Sequence, residues 1–121
     1  MTNTTETNEL RVTSTQKEYR VEGFSLRFSA FLDAIDLPPS GRYTYGASLC
    51  SVSVNTFKSW CEDDVVPKTL SGMENTLEIL LDYRGKAAFP VKRIMAWVLF
   101  GDMVENPLPA IRLLQADDVK S

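Results

Sequence analysis

Asn55, Thr56, Lys58 and Ser59 fall within five consecutive positions, just after Ser53. An amide such as Asn55 donates and accepts at once, which matches the edge of adenine in a major groove. An ammonium such as Lys58 reaches guanine or a phosphate oxygen. The hydroxyls of Ser53, Thr56 and Ser59 serve either partner, and Arg42 and Lys68 bracket the segment as candidate phosphate contacts. This is recognition chemistry rather than catalysis. The 121-residue chain has no histidine, and no nucleophile stands beside a base, so no enzyme is expected. Cys50 and Cys61 lie eleven positions apart. They form no zinc site and read as free thiols, so neither a metal nor a cofactor is expected. Asp63 and Asp64 read as solvated loop charges that disfavour wrong DNA registers.

Charge limits how this chemistry can be used. The net charge is −3, whereas nucleic-acid-binding domains usually present a basic face. Over residues 42–68, Arg42, Lys58 and Lys68 are balanced by Glu62, Asp63 and Asp64. Binding to double-stranded DNA would rest on a few well-placed contacts, or on a dimer that doubles them.

These side chains need helices to hold them. Phe24, Phe28, Phe31, Leu32 and Ile35 recur at helical spacing and predict a first helix, with Ser25 as its cap, ending before Pro38-Pro39. A short second helix is predicted over 43–50 and a third over 54–61, capped by Ser53 and seated by Phe57 and Trp60. Residues 62–67 read as a loop. A fourth helix covers 70–83, with Ser71 and Glu74 at capping-box spacing and Gly85 as its stop. Pro90 starts a fifth, 91–100, which Gly101 ends. Residues 1–23 form a flexible polar arm, disordered over the first nine, with one or two short strands within 10–21. Residues 24–101 form the domain, and 102–121 a tail with a short helical turn near 110–115. The expected class is all-α.

The stretch from Gly46 to Trp60 has its own geometry. Two steeply crossing helices need a small residue where they meet, here Ala47, and an apolar plug in the turn, here Val52. With Ala47, Cys50, Ser51-Val52-Ser53, Thr56-Phe57-Lys58-Ser59-Trp60 and Pro67, residues 24–85 resemble the lambda-repressor-like, or Cro-like, helix-turn-helix family. The resemblance implies a five-helix domain whose third helix reads DNA, and hence a transcriptional regulator, a repressor by type. The chain departs from the family pattern at Gly46, where a large apolar residue is usual and Tyr45 or Leu49 would fill the space. It departs again at Ser51 in place of the turn glycine, at Cys61, and in the lengthened connection at 38–41. The same scaffold also suits a second reading, a protein-interaction module of the antitoxin or phage-adaptor kind.

The fifth helix is apolar all round. Ile94, Met95, Trp97, Val98, Leu99 and Phe100 exceed what one small domain can cover, so either the helix is central or one side meets a second copy. The reading favours a homodimer, and members of the resembled family often pair through this helix. The longest apolar run, 94–100, is far below the roughly 20 residues of a membrane span. The polar start lacks the features of a signal peptide, so a cytoplasmic location is expected.

Overall fold

A computed structural model describes residues 19–114 and is predominantly helical. The disorder expected over 1–9 and the strand positions expected before 19 lie outside the described residues. In chain order the elements are β1 (Tyr19–Arg20), α1 (Phe24–Ala34), α2 (Arg42–Cys50), α3 (Val54–Glu62), β2 (Val65–Val66), α4 (Leu70–Tyr83), α5 (Val91–Phe100), a 3₁₀ turn (Gly101–Met103) and α6 (Leu108–Leu113). β1 and β2 pair antiparallel, Tyr19 with Val66 and Arg20 with Val65. β1 falls within the 10–21 stretch where short strands were expected, whereas β2 falls where a plain loop was expected. Among the described residues no helix is long and apolar enough to cross a membrane.

Three helices end in the same way. After α1, Leu37 N–H donates to Leu32 O and Asp36 N–H to Asp33 O. After α2, Val52 N–H donates to Ala47 O and Ser51 N–H to Ser48 O. After α4, Lys86 N–H donates to Leu81 O and Gly85 N–H to Asp82 O. Each closure needs one residue in the left-handed region, and these are Asp36, Ser51 and Gly85. Only the third is glycine, so the first two each carry about 1–2 kcal/mol of steric cost.

The core is an aromatic cluster. Phe28 stacks on Phe24 at 5.5 Å and meets Phe57 and Trp60 edge-on, at 5.8 and 6.2 Å. α3 thus packs chiefly on α1 and α2. Burying a side chain such as Phe57 completely contributes about 1.5–3 kcal/mol.

Several local expectations are corrected by tertiary contacts. Ser25 does not cap α1. Gly23 holds the cap position, and the Ser25 hydroxyl donates to Trp60 O at 2.8 Å while accepting from Asp64 N–H at 2.7 Å. Ser71 and Glu74 form no capping box, because the cap of α4 is Thr69, two residues before Ser71, and the Thr69 hydroxyl accepts from Gly72 N–H. The segment after 101 is not a separate tail throughout. α6 starts at Leu108, buries Leu108 and Ile111 in the core, and makes a sixth helix where five were expected. Lys86 Nζ donates to Ile111 O at 3.0 Å and ties this helix to the end of α4.

Candidate nucleic-acid interface

Residues 51–53 set the angle and start of α3. Ser51 closes α2 with φ +59°, Val52 packs against the core, and Ser53 takes an extended conformation as N-cap. The Ser53 hydroxyl accepts from Thr56 N–H at 3.0 Å and donates to Thr56 Oγ1 at 2.8 Å. Gly46 faces α3 at close range. A Cβ there would lie 2.3 Å from Phe57 Cζ, so the Phe57 ring occupies the space expected for Tyr45 or Leu49. Ala47 is buried beside it, as the crossing requires.

The candidate side chains divide into free and engaged groups. Asn55 and Lys58 are exposed and have no hydrogen-bond or ion-pair partner among the described residues. Lys68 is likewise exposed and unpaired, and it borders a cleft of about 220 Å³ with Thr56, Ser59, Trp60 and Pro67. Ser53, Thr56 and Ser59 lie on or beside the same face, but their hydroxyls are partly occupied. Ser59 donates to Thr56 O at 2.7 Å.

Arg42 does not belong with this group. Its side chain is only 11 % exposed and pairs with Asp33 at 2.9 Å, while its guanidinium also donates to the carbonyls of Pro38 and Leu37. The lengthened connection at 38–41 folds back over it, so Arg42 clamps α2 to the end of α1 instead of facing outward. Asp64 is also misread as a solvated charge. With φ +60°, its carboxylate accepts from Gly23 N–H at 3.2 Å and Ser25 N–H at 2.9 Å, and so caps α1 across some forty residues. No sequence signal marked this cap, since its partners are remote. Glu62 accepts from the Tyr43 hydroxyl at 2.6 Å, and that hydrogen bond pushes the Tyr43 pKa up to about 12. The outward charge of the α3 segment therefore reduces to Lys58 and Lys68 against Asp63 and a hydrogen-bonded Glu62.

The expected pairing face of α5 is only partly outward. Ile94 and Val98 are fully buried and Trp97 is 7 % exposed, so these three belong to the core of a single chain. α5 packs on both α1 and α4, which covers them. Met95 and Leu99 are half-buried, and Phe100 is exposed. Cys50 and Cys61 are free thiols, and burial pushes their pKa values up to about 11 and 12. Among the described residues no group of ligands could hold a metal ion.

Comparisons with protein-family models, curated proteins and solved structures returned no match.

Proposed function

We propose that the protein binds double-stranded DNA through α3 and acts as a sequence-specific transcriptional regulator of the lambda-repressor-like helix-turn-helix kind. One observation carries the reading. Asn55 and Lys58 project from a helix fixed at both its cap and its core face, and neither has a partner among the described residues. A side chain held on a rigid helix keeps its hydrogen-bonding capacity for a base edge at little entropic cost. Lys68, beside the cleft that follows α3, is the accompanying phosphate contact.

Two such cations give one chain little from counterion release. The reading therefore includes a homodimer that presents two copies of α3 to half-sites about one helical turn apart. Its contact is the outer side of α5 and the turn after it: Met95, Leu99, Phe100 at 57 % exposure and Met103 at 83 %. Selection from a pool of random duplexes tests the proposal. Enrichment of a two-fold-symmetric site supports it, and a pool that stays random after repeated rounds refutes it.

A further inference from the structure

An open groove of about 660 Å³ runs between the 38–41 connection, the start of α2 and the first turns of α3. Its walls are apolar at Pro39, Tyr43 and Val54, its free polar groups are Thr44, Asn55 and the Lys58 ammonium, and Ser29 and Arg42 also line it, though both are held by other partners. Val54, at the first position of α3, is 43 % exposed and offers apolar surface to the groove. Among the described residues no carboxylate lines the groove. Asp33 pairs with Arg42, and the Glu62 carboxylate, which keeps its charge, accepts from the Tyr43 hydroxyl. The groove thus combines partly apolar walls with a cation, Lys58, that has no ion-pair partner among the described residues.

We infer that this groove docks an acidic segment of a partner protein, one in which carboxylates alternate with apolar side chains. Carboxylates meet Lys58 and Asn55, and an apolar side chain lies between Pro39, Tyr43 and Val54. A phosphodiester backbone supplies the charge but nothing for the apolar walls. A small organic anion would be left largely uncovered, whereas ligand pockets for such molecules enclose most of their surface. The inference shares Asn55 and Lys58 with the DNA reading, so partner and duplex would exclude one another.

The test uses the full chain without DNA, so its failure is distinct from failure of DNA binding. A labelled twelve-residue peptide alternating Glu and Leu is titrated by fluorescence anisotropy, beside a second peptide with Ser in place of Leu. Saturable binding is expected for the first and at least several-fold weaker binding for the second. Lys58→Glu is expected to weaken binding on the order of tenfold. Val54→Asp is expected to do the same, and the fold tolerates it because an acid suits a helix N-terminus. Lys92→Glu, at an exposed site on α5, should leave binding within about twofold. Absence of saturable binding overturns the inference, as do equal affinities for the two peptides or an equal loss in Lys92→Glu. If the peptide fails to bind while Val54→Asp abolishes duplex binding, the groove belongs to the phosphodiester backbone, and the inference is likewise overturned.

Discussion

Replacing Gly46 by alanine sets two effects against each other. A glycine inside a helix costs about 1 kcal/mol relative to alanine, so helix propensity alone makes Gly46→Ala stabilising. The structure reverses the sign. The added methyl carbon would lie 2.3, 2.5 and 2.8 Å from three atoms of the Phe57 ring. Carbon atoms pack best at about 3.5–4.0 Å, so the ring would have to retreat by roughly an ångström. It has nowhere to go, because Phe57 has no exposed surface and lies 5.8 Å from the ring centres of both Phe28 and Trp60. Overpacking of this kind costs about 1–3 kcal/mol, and three short contacts place it at the upper end. The net loss is about 2 kcal/mol, which for a chain of this size lowers Tm by roughly 5–10 °C. Thermal and urea denaturation followed by circular dichroism measure it. Phe57→Leu should recover part of the loss when combined with Gly46→Ala, with a coupling of about 1 kcal/mol. An unchanged or raised Tm for Gly46→Ala would refute the close approach of α2 to α3.

Ser51→Gly should stabilise the chain by about 1 kcal/mol, because glycine removes the steric cost of φ +59° at the α2–α3 turn; a fall in Tm would count against that geometry. Asp64→Ala should cost about 1–2 kcal/mol in urea titrations through loss of the remote cap on α1, although Asp64 has the look of a surface charge in the sequence. Trp97→Glu should unfold the monomer. Phe100→Glu with Met103→Glu should leave a folded protein that sediments as a monomer, and a folded Trp97→Glu variant would contradict the burial of α5. Burial raises both thiol pKa values above the ordinary 9.0, so the folded state holds these protons more tightly than the unfolded state. The resulting stability is complete below about pH 9 and is lost as pH rises through about 11–12, while native thiols at pH 8 should react slowly with a disulfide reagent.

The helices were legible where the determinants are local. The repeats of Phe28, Phe31 and Leu32, of Phe57 and Trp60, and of Leu77, Leu80 and Leu81 mark faces that the structure buries, and Ser53 caps α3 as its spacing implied. The misread residues are those whose partners lie far along the chain. Ser25 and Asp64 look like a local cap and a solvated acid until the chain brings them together. Arg42 looks outward until the connection at 38–41 folds over it. α5 looked too apolar for one domain because the coverage that α1 and α4 give it is a tertiary property. For the site, the sequence pointed to Asn55 and Lys58, which have no partner among the described residues, while Arg42 is held by Asp33.

The central claim is that α3 reads DNA through Asn55 and Lys58. Its most direct test is the affinity of the wild type, Asn55→Ala and Lys58→Ala for a selected duplex and for a random one, each at low and moderate salt. The account predicts that Asn55→Ala loses about 1–3 kcal/mol on the selected site and almost nothing on the random duplex. Lys58→Ala should lose affinity for both and show a shallower salt dependence. Folded variants that both bind every duplex as the wild type does would contradict it.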